Sequence, residues 1–310
     1  MKLGLTGSSG FVGSALLHRL ETDSSQVLTI GHQERPGIGT TLERIATGAQ
    51  PSPLKGLDCI VHLGARVHIM KERLQDSLQA YREVNVAASV ELAKAAAQEG
   101  VKRFVFVSSI KVNGERTQDQ PFRHDDVAKP EDPYGISKCE AEQALRDVAT
   151  STGLEVVIVR PPLVYGPGVK ANFESLMRAV QRGVPLPLGA VNDNRRSLVA
   201  LDNLVDLLIT CVHHPAAANQ TFLVGDGEDL STAELIRRMG LAMGRPARLL
   251  SVPTSLLKLG AILLGKRDVA QRLLGNLQVD IRHTRETLGW SPPITVEEGL
   301  RRAVQGMMQR

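Results

Sequence analysis

Residues 2–13 read KLGLTGSSGFVG, and this stretch decides the fold. Residues 2–6 form a short, mostly apolar run of strand length. Gly7, Gly10 and Gly13 follow at G-x-x-G-x-x-G spacing. From Phe11 onward, apolar residues recur at helical spacing through Val12, Leu16, Leu17 and Leu20. A strand, a glycine turn and a helix in this order bring free helix N–H groups beside a backbone with no Cβ to hold a ligand away. That arrangement suits the pyrophosphate of a dinucleotide and predicts contacts from Gly7, Ser9, Gly10, Phe11 and Val12.

The pattern continues outward. Residues 26–30, 59–63, 102–108 and 155–160 read as buried strands, separated by helical stretches at 74–99 and 132–151. The alternation predicts an α/β fold, a Rossmann-type doubly wound parallel sheet. Residues 1–168 are expected to form a dinucleotide-binding domain, rejoined by about 195–225. Residues 169–310 are expected to form a smaller, mainly helical C-terminal substrate lobe. Its pieces read as helices at 173–181, 202–212, 232–243 and 296–308, with 221–224 as a strand able to return to the main sheet, and Trp290 is expected to pack the lobe.

Composition excludes several classes. Of 310 residues, 42% are hydrophobic and 23% charged, an ordinary globular balance. Aromatics are 3% and the formal charge is +4 with no basic run, so no nucleic-acid partner is expected. Cys59, Cys139 and Cys211 stand alone, which predicts no metal and suits a reducing, cytoplasmic location. The glycine loop begins so early that no signal peptide is expected. The most apolar stretch, 249–265, is interrupted by Ser251, Pro253, Thr254, Ser255 and Lys258. It reads as an amphipathic helix rather than a membrane span.

The end of the second strand selects the cofactor. Residues 28–35 read LTIGHQER, with no acid directly at the strand end to bind a ribose 2′-hydroxyl. His32 and Arg35 are available to a 2′-phosphate, so NADP(H) is favoured, with NAD(H) as the alternative. Chemistry is expected from Tyr134 and Lys138, whose i, i+4 spacing puts both on one helix face. A neighbouring ammonium favours a phenolate and is expected to lower the tyrosine pKa. Ser109 stands where the strand at 102–108 ends, the place open α/β sheets put their sites.

These segments together resemble the extended short-chain dehydrogenase/reductase superfamily, in its nucleotide-sugar epimerase/dehydratase branch. The likeness is carried by TGSSGFVG (6–13), LDCIVHLGA (57–65), Asn85-Val86, FVSSIKVNG (106–114), PYGISK (133–138), RPPLVYGPG (160–168), RSLVALDN (196–203) and LGWSP (288–292). The resemblance implies Ser109 and Tyr134 as catalytic residues and Lys138 as the holder of the nicotinamide ribose. It implies Asp58 against adenine, and Leu63, Gly64, Ala65 and Pro161 in the cofactor pocket. Asn172 and Arg196 match positions that hold the nucleotide diphosphate. Arg66, His68, Lys111 and Arg272 are further candidates for the sugar nucleotide.

The chain departs from the family pattern at Asn113, where V-Y-G is usual, and at the second strand end. The SSIKVNGE and HLGARVHIM stretches resemble a reductase subgroup. The expectation is therefore NAD(P)H-dependent reduction of a UDP-4-keto-6-deoxy-N-acetylhexosamine to UDP-N-acetylquinovosamine. The alternatives are a 4-epimerase of UDP-hexose or UDP-N-acetylhexosamine with retained NAD, and a non-catalytic NADP(H)-binding regulator. The resemblance also implies a homodimer, paired through 74–99 and 132–151.

Overall fold

The computed structural model describes residues 1–33, 36–48, 50–66 and 74–309. Arg35 and His68 lie outside the described residues. The strands are β1 (Lys2–Thr6), β2 (Gln26–Gly31), β3 (Thr40–Thr41), β4 (Cys59–His62), β5 (Arg103–Val107), β6 (Glu155–Arg160), β7 (Leu163–Tyr165), β8 (Arg196–Ala200), β9 (Thr221–Leu223) and β10 (Asp229–Leu230). The helices are α1 (Phe11–Thr22), α2 (Leu42–Ala46), α3 (Leu74–Arg82), α4 (Ala88–Gln98), α5 (Pro133–Thr152), α6 (Ala171–Gln181), α7 (Leu201–His213), α8 (Thr232–Ala242), α9 (Thr254–Leu263), α10 (Arg267–Leu274), α11 (Arg282–Leu288) and α12 (Val296–Met308).

Seven strands form one sheet in the order β3-β2-β1-β4-β5-β6-β9. Every pairing in it is parallel. Both faces are covered, because strand side chains alternate. Val105 and Val107 of β5 join Leu3, Leu5 and Val61 under α1 and α7. Phe104 and Phe106 point the other way, to Leu92 and Ala96 of α4 and Leu145 of α5. One residue of register slip would exchange these two sets.

The structure bears out 221–224 as a strand that returns to the main sheet and corrects the sequence reading elsewhere. Of 195–225, only β9 pairs with the main sheet, beside β6, while α7 packs under it. β8 instead joins β7 and β10 in a separate three-stranded sheet. Trp290, expected to pack the lobe, lies in the core under the main sheet and donates to Asp206 Oδ1 at 2.8 Å. The stretch read as one helix over 74–99 is interrupted by a π-turn at Glu83–Ala87. The extra residue of that turn rotates the helix face and leaves Asn85 buried.

The glycine loop is set by close packing. Gly13, in the first turn of α1, packs on the turn that follows β1, and a Cβ there would lie 2.0 Å from Gly7 O. Gly13→Ala is therefore expected to destabilise the protein by about 3 kcal/mol or more, read as the midpoint of urea unfolding. Gly10→Ala, whose Cβ would meet Gly7 O at 3.2 Å, should cost far less. Equal midpoints for the two variants would contradict this packing.

Candidate active site

From β1 the chain builds β2 and β3 on one side, then crosses to β4 on the other. The connections therefore leave the C-terminal ends of β1 and β4 in opposite directions, and a crevice opens between them. A cavity of about 850 Å³ lies there. Its wall brings together Gly7, Ser9, Gly10, Phe11, Val12, His32, Leu63, Gly64, Ala65, Arg66, Ser109, Tyr134, Lys138 and Pro161 from the sequence reading.

The loop fits a dinucleotide on its own geometry. Gly7 has φ +69°, and a Cβ on it would meet Gly64 N at 2.9 Å. Gly10 caps α1 without a side-chain hydrogen bond. The first-turn N–H groups of a helix have no intrahelical acceptors, so an anion on this wall meets unspent donors and the positive end of the helix dipole.

Two adjacent serines divide their roles. Ser108 is buried and donates to Glu142 Oε1 at 2.6 Å. Glu142 is also held by Arg160 through Nε at 2.8 Å and Nη2 at 2.6 Å. Arg160 Nη1 donates to Asn113 Oδ1 at 2.9 Å, so the asparagine in place of the usual tyrosine is a buried structural partner. Ser109 is extended, caps the short turn Ile110–Val112, and lines the cavity.

Tyr134 stands in the first turn of α5, which Asp132 caps by accepting from Gly135 N at 2.7 Å. Its ring packs edge-on to Tyr81, with centroids 6.0 Å apart. Burial, with Asp132 and Tyr81 adding to it, pushes the Tyr134 hydroxyl well above its ordinary pKa. This corrects the expectation that the neighbouring lysine lowers it. Lys138 Nζ instead donates to Val107 O at 2.9 Å and sits 4.4 Å above the centre of the Phe106 ring. Burial pushes Lys138 down to about 7.

A buried chain of hydrogen bonds joins the glycine strand to the tyrosine helix. Thr6 Oγ1 accepts from Leu63 N at 3.1 Å and Gly64 N at 2.9 Å. Its proton is thereby left for His62 Nδ1, 2.8 Å away. Ser89 donates to Asn85 O at 2.8 Å, so it accepts from His62 Nε2 at 2.8 Å. These partners fix His62 as the neutral Nε2–H tautomer. Burial, with Lys138 second, accordingly pushes its pKa down to about 3. Asn85 Nδ2 donates to Ser137 Oγ at 3.0 Å, and Ser137 donates to Tyr134 O at 2.8 Å. Asn85 Oδ1 accepts from Arg66 N at 2.9 Å. Sequence reasoning gave His62, Ser89 and Ser137 no role and used Asn85 only as a family marker. The available signal was polar side chains on the inward stripe that Leu92 and Ala96 continue.

Five predicted residues lie off this wall. Asp58 precedes β4, at the end of the strand away from the cavity, where it accepts from Lys2 N at 2.8 Å. It is therefore placed wrongly for adenine. Lys111 is held by Glu115 Oε1 and Asp132 Oδ2, each at 2.6 Å, so it steadies the cap of α5 instead of presenting a free ammonium. Asn172 is exposed in the first turn of α6. Arg196 donates to Gly275 O at 3.3 Å, and burial with the nearby charge of Arg272 lowers its pKa. Arg196 and Arg272 are thus neighbours, away from the cavity lining.

A parallel sheet whose switch point carries a glycine loop, a strand-end serine and a Tyr/Lys pair on the next helix defines an extended short-chain dehydrogenase/reductase. Residues 4–225 match the NAD dependent epimerase/dehydratase family, and the chain belongs to it. It is 50% identical to a UDP-glucose 4-epimerase of Vibrio cholerae over 98% of this chain and 95% of that one. It is 26% identical to the N-acetyl-alpha-D-glucosaminyl-diphospho-ditrans,octacis-undecaprenol 4-epimerase of Escherichia coli O157:H7, over 97% and 93% of the two chains. The fold is that of the Bacillus cereus UDP-glucuronic acid 4-epimerase solved with NAD, at TM-score 0.78 and 19% identity over 100% and 99% of the chains.

Two outcomes test the site. The cost of burying the Lys138 charge is complete below about 7 and is relieved as pH rises toward the ordinary lysine value of 10.5. Cofactor-free protein should therefore gain stability relative to Lys138→Met across that window in urea titrations. A difference that does not change with pH would count against a buried charge. Asn85→Ala strands the groups of Ser137 and Arg66, and is expected to cost more than about 2 kcal/mol; an unchanged unfolding midpoint would show that the chain of bonds holds nothing.

Proposed function

We propose that the protein is a nucleotide-sugar 4-epimerase that acts on a UDP-hexose or UDP-N-acetylhexosamine, with NAD in the cavity between β1 and β4. The observation that carries this reading is the 50% identity to the Vibrio cholerae UDP-glucose 4-epimerase, end to end. It supports the epimerase alternative better than the 4-ketoreductase expected from residues 62–70 and 108–115. The preference for NADP(H) finds no such support, since solved structures of this fold include ones with NAD and one with NADPH. We assign residues 1–168, with about 195–225, to cofactor binding and 169–310 to the substrate. Arg196 and Arg272 would face the diphosphate, and a homodimer would pair through α3, α4 and α5.

The residues divide the work as follows. The glycine loop and the N-terminus of α1 hold the pyrophosphate. NAD, when bound there, would supply reversible hydride transfer. Tyr134 accepts the proton of the sugar 4-hydroxyl and gives it back. Ser109 hydrogen-bonds the same oxygen and fixes its position. The raised pKa of the buried phenol favours returning the proton and makes taking it costly.

The purified protein should convert UDP-glucose or UDP-N-acetylglucosamine to the 4-epimer without added cofactor, and sediment as a dimer. Tyr134→Phe should retain NAD yet lose turnover by about 10²–10⁴-fold. Oxidation of NADPH by a 4-keto-6-deoxy sugar nucleotide, with no epimerisation, would restore the reductase reading.

A further inference from the structure

Helix α9 has no buried residue. Its Leu257 packs with Leu273 and Leu274 against a small core around Val180 and Ile236. The outer face carries Leu256, Leu259, Ile262 and Leu263, exposed by 57%, 53%, 47% and 77%, followed by Leu264 at 72%. The first four fall within roughly one third of the helix circumference. Single exposed leucines are ordinary on a protein surface, whereas a contiguous stripe of them marks a contact surface.

Charge identifies what that surface meets. Residues 245–272 contain six basic residues, Arg245, Arg248, Lys258, Lys266, Arg267 and Arg272, against one acid, Asp268. This excess is larger than the +4 of the whole chain, so the remainder is close to neutral. Arg248, Lys258, Lys266 and Arg267 are exposed, Lys258 on α9 itself and the others on the segments that flank it in the chain. A second copy docked across a two-fold would set one basic border against another. An anionic bilayer satisfies both features, because leucines enter the headgroup boundary while lysine and arginine stay among the phosphates. Among the described residues no helix is long and apolar enough to cross a membrane.

We propose that α9 and its basic border dock the protein reversibly on the surface of an anionic membrane. The attachment lies on the part of the chain that holds Arg272 and is independent of the reaction performed in the cavity. It is tested by sedimentation of the full-length protein with vesicles of phosphatidylglycerol mixed with phosphatidylethanolamine, and with phosphatidylcholine vesicles. Wild type should pellet with the first and stay in solution with the second, with less pelleting as salt is raised. Leu259→Ser/Leu263→Ser and Lys258→Glu/Lys266→Glu should each lower partitioning about tenfold or more. Melting temperature and turnover of soluble UDP-sugar should stay at wild-type values in both, because the substituted side chains face solvent. Wild type left in solution with anionic vesicles would overturn the proposal, as would both variants pelleting like wild type. An oligomer seen without vesicles and dissociated by the leucine substitutions would assign the face to a second copy instead.

Discussion

The hydroxyl of Thr6 holds together the two strand ends between which the site opens. It takes the N–H groups of Leu63 and Gly64 from the far side of the crevice, and returns its own proton to His62. A switch point separates its strands by topology, and nothing in the sheet ladder bridges them past their last paired residues. One side chain with two acceptor sites and one proton closes that gap without filling it. The neutral state of His62 follows from this, and so do the positions of Ser89, Asn85 and Ser137. The glycine loop and the tyrosine helix come from residues more than a hundred positions apart, yet they are registered to one another through buried bonds of 2.8–3.0 Å.

A second buried network fixes the other side of the cavity. Glu142 on α5 accepts from Ser108 at the end of β5 and from Arg160 at the end of β6. A buried carboxylate is tolerated because each oxygen has charged or hydroxyl donors. The result is that α5, which carries Tyr134 and Lys138, is fastened to the strand ends on either side of it. Lys138 reaches Val107 O from the same helix. The exposed pair of Arg82 with Glu140 adds little by comparison, since solvent screens it.

The first half of the chain was legible because its signals are local and periodic. Strand and helix runs, the three glycines, the strand-end serine and the tyrosine–lysine spacing each follow from residues within a few positions of one another. In the second half, β7, β8 and β10 are two to five residues long and gain their partners only from distant segments. No short window announces such strands, and propensity yields to packing there. Trp290 likewise has its partner in Asp206, on an element that a reading of the local lobe does not reach.

The sequence by itself determined the doubly wound sheet, the place of the crevice and that Ser109, Tyr134 and Lys138 would share its wall, because backbone sterics and hydrophobic period are written locally. The tertiary structure decided what those groups are. It turned Lys111 from a substrate contact into a brace on the α5 cap and removed Asp58 to the wrong end of a strand. It raised the Tyr134 pKa where spacing alone argued for lowering it. It also made Asn85 a junction by inserting one residue into a helical turn. Burial and distance set a side chain's charge and direction, and both come into being only when remote parts of the chain close around it.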